Sequence, residues 1–184
     1  VQALGNIPID VNELGVDLLT ITAHKIYGPK GTGALYIRKG IVIDNLIHGG
    51  AQEKGKRAGT ENVLGIVGFG KACELVTENI DIKTKRIAKL RDHLFDRVIN
   101  EIPEIVVNGS REKRLPGNAN FSVTKIEGEA LILSLNHYGI SCSSGSACTS
   151  GSLDPSHVLL AIGLDHGTAH GSLRISLGKD NTKD

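Results

Sequence analysis

Methionine is absent from all 184 residues, and several other familiar features are missing with it. No run of about 18 apolar residues is present to cross a membrane, and no signal-peptide pattern precedes the first motif, so membrane and secretory readings fail. The formal net charge is only +1, with both signs dispersed along the chain. No basic face therefore argues for nucleic acid, and no acidic tract argues for disorder. Cys73, Cys142 and Cys148 form no metal-spaced cluster, and their odd number suits free thiols better than a disulfide framework. No histidine pair is read as a metal site, and none is expected. P-loop, GxGxxG, paired catalytic carboxylates, internal repeats and low-complexity tracts are also missing.

What is present is a globular chain with 40% hydrophobic residues, enough for one ordinary domain or a small domain plus part of another. A cytoplasmic setting is expected. Because the chain has no methionine and Val1 falls inside an already running segment, a fragment is expected, its N-terminal portion cleaved off or carried on a separate chain.

Asp17 to Thr22 and Gly33 to Ile37 read as strands flanking a glycine-rich turn, and Ile41 to Ile47 as a further strand. Residues 48–62 form a polar surface loop, after which Thr60 or Asn62 caps a helix bearing Val63, Ile66, Val67, Ala72 and Val76. Ile87, Leu90, Leu94, Val98 and Ile102 mark an amphipathic helix over Ile82 to Ile102, stopped by Pro103. Beyond it come a strand at Ile105 to Val107, a turn at Asn108-Gly109, a strand at Asn118 to Val123 and a helix from Glu127 to His137. A strand at Ile140 to Cys142, a helix opened by Pro155 and a strand at Ser172 to Leu177 complete the order. Alternating strands and helices give an α/β class, with a junction expected near residues 79 to 84.

Three residues stand out chemically. Lys25 lies in Thr22-Ala23-His24-Lys25-Ile26-Tyr27-Gly28-Pro29-Lys30-Gly31. A lone His-Lys pair usually marks a solvated strand end, but burial and the neighbours His24 and Lys30 are expected to activate this amine for a Schiff base to pyridoxal phosphate. The Thr22 hydroxyl and His24 imidazole suit a phosphate ester, and Gly28, Gly31 and Gly33 let the backbone turn beside a ligand. Cys148 sits among Ser, Gly, Ala and Thr, which cannot bury it, so an exposed thiol on a mobile loop is expected. Cys73 and Cys142 read as packing residues instead. Arg174, in Ser172-Leu173-Arg174-Ile175-Ser176-Leu177, could simply face solvent, yet its planar fork is the side chain best suited to grip a carboxylate. The loop at Arg57 to Thr60 is either solvated or an anion or partner surface.

The segments 22–31, Arg57-Ala58-Gly59-Thr60-Glu61-Asn62, Ser143-Ser144-Gly145-Ser146-Ala147-Cys148-Thr149-Ser150-Gly151 and Ser172 to Gly178 together resemble the class I cysteine desulfurases of the NifS/IscS type. All four occur in the family's order and span nearly the whole chain. The resemblance implies a fold-type I, aspartate aminotransferase-like enzyme, with residues 1–80 as the C-terminal part of the cofactor-binding large domain and 81–184 as the small domain. It implies a homodimer using pyridoxal 5'-phosphate to convert L-cysteine to L-alanine, leaving a persulfide on Cys148. Lys25 would hold the cofactor, Thr22 and His24 its phosphate, and Gln2 its phenolic oxygen. Thr60 would reach the phosphate in the partner subunit, and Arg174 would bind the substrate carboxylate.

An iron–sulfur scaffold protein or a sulfur-carrier protein is the implied acceptor. The family's residues for the other side of the cofactor precede the match to Val1, so the chain by itself is expected neither to hold the cofactor well nor to turn over cysteine. The alternatives are another fold-type I enzyme, such as a selenocysteine lyase or aminotransferase, or an inactive fragment acting as a dimerisation or docking module.

Overall fold

The computed structural model describes residues 1–145 and 154–183. It divides into two compact units, Val1–Asp81 and Ile82–Asp184.

In the first unit, β1 (Leu18–Thr22) pairs antiparallel with β2 (Gly33–Ile37) from Leu18↔Ile37 to Thr22↔Gly33. Between them Ala23–Ile26 winds into one 3-10 turn. With about three residues per turn, Ala23 and Ile26 fall on one face. Both are buried, and they join Phe69 and Ala72 of helix α1 (Val63–Thr77) in the core. The turn ends at Tyr27, whose φ of 65° is left-handed, an uncommon conformation for a residue with a Cβ. Asn62 caps α1, its Oδ1 accepting from the Gly65 N–H at 3.1 Å. Arg38 secures the segment before β1, donating to the carbonyls of Val11 and Val16 and pairing with Asp17 at 3.1 Å.

The second unit packs helix α2 (Ile80–Glu101) on an antiparallel sheet ordered β3 (Ile105–Val107), β4 (Asn118–Val123), β5 (Ser172–Ser176). Ile87, Arg91 and Phe95, four residues apart on α2, are the buried stripe of an amphipathic helix. Phe95 meets Phe121 with ring centroids 4.9 Å apart, and Ala119, Leu94, Val98, Ile105, Val107 and Ile175 pack with them. Helices α3 (Gly128–His137), α4 (His157–Ala161) and α5 (His166–His170) are the other helices among its described residues.

The mixed helix and sheet content agrees with the α/β class, and every pairing between these strands is antiparallel. Two expected strands do not form. Ile41–Ile47 has no partner strand and leaves Val42 and Leu46 more than nine-tenths exposed. Ile140–Cys142 is also irregular, and pairing starts only at Ser143, as a single bridge to Arg174.

Candidate active site

Because Ala23 and Ile26 are drawn into the core, His24 and Lys25 project outward from the 3-10 turn, and both are exposed. Burial of Lys25, expected from sequence, is therefore not observed. Its amine makes no ion pair or hydrogen bond among the described residues. The Thr22 hydroxyl lies 3.0 Å from His24 Nδ1 and donates to the Thr32 carbonyl at 3.2 Å. The hydroxyl has one proton, so it serves one of these two neighbours at a time.

Thr32 was not singled out from sequence, yet it ties the turn together. It is buried, its carbonyl also accepts from the Ala23 N–H at 3.0 Å, and its hydroxyl accepts from Asn62 Nδ2 at 3.5 Å. One residue thus links the Lys25 turn to the cap of α1. Gly28 and Gly33 allow close packing within the chain, whereas Gly31 faces open space with a φ of 78°. A Cβ on Gly28 would stand 3.0 Å from the Cβ atoms of Ala23 and Ala72, and one on Gly33 would stand 2.7 Å from the Ile21 carbonyl.

Gln2 is exposed in an N-terminal turn, where its carbonyl accepts from Asn6 Nδ2 at 2.9 Å. Leu4, two residues on, packs into the cluster of Ala23 and Ile26, so the Gln2 segment is anchored beside the Lys25 turn. Thr60 is also exposed, in the loop before α1. That loop is folded on itself: Gly59 N–H donates to Gln52 Oε1 at 3.1 Å, and Ala58 is buried.

In the second unit Arg174 is half-buried on β5, and its guanidinium makes no hydrogen bond or ion pair among the described residues. Its backbone exchanges two hydrogen bonds with Ser143, the first residue of the cysteine-bearing motif. Cys148 lies outside the described residues, and so does the expected mobility of its loop. Cys73 and Cys142 are half-buried, and burial pushes both thiols above their ordinary pKa, which disfavours the nucleophilic thiolate.

Asn108, placed in a turn with Gly109 by the sequence, is buried and bonded to Asn120 and Ser122. The alternation in Asn118-Ala119-Asn120-Phe121-Ser122-Val123 was the available signal that a polar sheet face lies here. His166 and His170 stand four residues apart on α5 with rings 4.9 Å apart, a ligand-like spacing passed over in the sequence. No third metal-ligating group joins them among the described residues. No described helix is long and apolar enough to cross a membrane.

The donor set suits pyridoxal phosphate. A phosphate could draw the Thr22 hydroxyl proton away from the Thr32 carbonyl and accept an N–H from the neighbouring His24 imidazole, beside an amine with no protein partner among the described residues that is available to an aldehyde.

The chain belongs to the aminotransferase class-V family, which matches it over residues 1–184. Curated proteins named cysteine desulfurase match it at 54–57% identity. It is 57% identical over 186 positions to cysteine desulfurase IscS of Clostridium botulinum (strain Hall), a match covering 100% of this chain and 47% of that protein. Among solved structures, a NifS-like protein superposes with a TM-score of 0.89 at 41% identity, over 100% of this chain and 47% of the other. SspA in complex with cysteine superposes with a TM-score of 0.74 at 35% identity, over 96% of this chain and 48% of the other. The chain spans about half the length of the curated relatives it matches.

Proposed function

We propose that this protein acts in the pyridoxal phosphate-dependent desulfuration of L-cysteine, and that the unpartnered Lys25 amine beside the Thr22–His24 pair is the observation that carries this reading. Residues 1–80 serve as the C-terminal part of the cofactor-binding large domain and 81–184 as the small domain. Thr22 and His24 hold the phosphate, Gln2 donates to the phenolic oxygen, and Lys25 Nζ makes the covalent attachment. Thr60 reaches the phosphate in the partner subunit of a homodimer. When bound, the cofactor supplies an electron sink for charge developing at the substrate Cα.

Arg174 takes the substrate carboxylate in a bidentate grip. Lys25 Nζ would also hold and move the Cα proton. The Cys148 thiolate attacks the substrate sulfur. The S–S bond forms as the Cβ–S bond breaks, so L-cysteine and a thiol become L-alanine and a persulfide. SspA, seen with cysteine, supports that substrate class. An iron–sulfur scaffold or a sulfur-carrier protein in the cytoplasm then accepts the sulfur.

Reducing the intact holoenzyme with borohydride and mapping the fixed cofactor by peptide mass tests the attachment. Label on Lys25 supports the reading; label on Lys30, or on no lysine, overturns it.

A further inference from the structure

Strands β4 and β5 align Asn118↔Ser176, Asn120↔Arg174 and Ser122↔Ser172. The alternate residues Ala119, Phe121 and Ile175 enter the Phe95 cluster, so the two-residue period sets Asn120 and Arg174 side by side on the opposite face. The backbone N–H and C=O of Arg174 both engage Ser143, at 2.6 and 3.1 Å, which directs them away from β4. Asn120 and Arg174 are therefore a non-hydrogen-bonded pair, the kind that brings opposing side chains closest.

The orientation of the Asn120 amide is fixed as well. Its Oδ1 accepts from Nδ2 of Asn108 at 2.6 Å, and that same nitrogen donates to Ser122 Oγ at 2.9 Å. Asn108 is 3% exposed and Ser122 0%, so both partners of the amide are held inside the fold. With its oxygen occupied, Asn120 presents its NH₂ group as a donor, and no acceptor takes it among the described residues. No buried side-chain nitrogen in the described structure lacks a partner, so this half-buried NH₂ is not sealed from solvent.

We propose that Asn120 is a second ligand of the substrate carboxylate, adding a neutral N–H donor beside the Arg174 fork, with Asn108 as the positioning residue that holds its amide. The proposal rests on the carboxylate role given to Arg174 above. A carboxylate offers about four lone-pair sites, so two donors from the guanidinium leave room for a third from the side. The pair would select substrates with a free α-carboxylate.

The test uses the intact holoenzyme and two competitive probes, L-alanine, which has the carboxylate, and L-alaninamide, which does not. Asn120→Ala is expected to raise the KM for L-cysteine and the Ki of L-alanine about 10- to 100-fold, the range for a hydrogen bond to a charged group, while changing the Ki of L-alaninamide less than about twofold. Asn108→Ala, which leaves Asn120 in place but frees its amide, is expected to weaken L-alanine in the same direction by less. Equal changes for both probes, or no change for either, overturn the proposal. If the unsubstituted enzyme releases no L-alanine from L-cysteine, the proposed function fails. If it does, and Asn120→Ala keeps the preference for L-alanine, only the role of Asn120 fails.

Discussion

Ser143 and Arg174 are joined by two backbone hydrogen bonds, Ser143 N–H to the Arg174 carbonyl at 3.1 Å and Arg174 N–H to the Ser143 carbonyl at 2.6 Å. The residue proposed to grip the substrate carboxylate thus shares its backbone with the first residue of the motif that contains Cys148. Arg174 sits between this bridge and β4, with its main chain held on one side and its pairing to Asn120 on the other.

Removing that bridge should be felt in substrate binding. Ser143→Pro deletes the N–H donor, and at about 1 kcal/mol for one hydrogen bond the KM for L-cysteine is expected to rise about fivefold. Ser143→Ala keeps the backbone and should leave KM near its original value. Steady-state kinetics on the two variants checks this, and equal effects from both would contradict it.

Tyr27 closes the Lys25 turn in the left-handed region. A β-branched residue tolerates that conformation worst and glycine best. Tyr27→Val is therefore expected to destabilise the protein by about 1–2 kcal/mol relative to Tyr27→Gly, measured by urea unfolding.

Phe95 is fully buried against Phe121, with the Arg114 guanidinium 4.9 Å from its ring centroid. Phe95→Ala should cost about 3–5 kcal/mol. Hydrogen exchange should show lost protection concentrated in α2 and β4.

The two half-buried thiols give a pH prediction. Burial raises the pKa of Cys73 and Cys142 above that of an unfolded thiol, so near pH 9 the unfolded chain ionises first. Their contribution to stability is full at lower pH and declines as pH rises through that range. Iodoacetamide should label both more slowly in the folded protein than in urea at pH 8.5, with the gap narrowing at higher pH. Equal rates in the folded and unfolded protein would contradict the shift.

Much of the fold was legible because it is written in local periodicity. Ile87, Leu90, Leu94 and Val98 mark α2, and Leu18 to Thr22 and Gly33 to Ile37 mark the hairpin. Ile41–Ile47 carried a strand-like composition as well, but a strand also needs an edge to pair with, and no partner strand pairs with it. Helix α5 escaped notice because His-Gly-Thr-Ala-His has no apolar stripe. Its signature is the Asp165 cap, which accepts from the Thr168 N–H at 3.0 Å.

At the site, Lys25 and Arg174 announced themselves through residue type and setting. Thr32 and Asn108 did not. Their importance lies in hydrogen bonds to residues between 9 and 30 positions away, such as Thr32 to Ala23 and Asn62, and Asn108 to Asn120 and Ser122. No local pattern encodes such contacts.

The most direct measurement of the central claim is the mass of the Cys148 peptide after the intact holoenzyme meets one equivalent of L-cysteine without reductant. The account predicts one added sulfur on Cys148 and one L-alanine released per site, with both lost in Cys148→Ala or Lys25→Ala. L-alanine formed with no added sulfur on Cys148, or formed undiminished by Cys148→Ala, would contradict it.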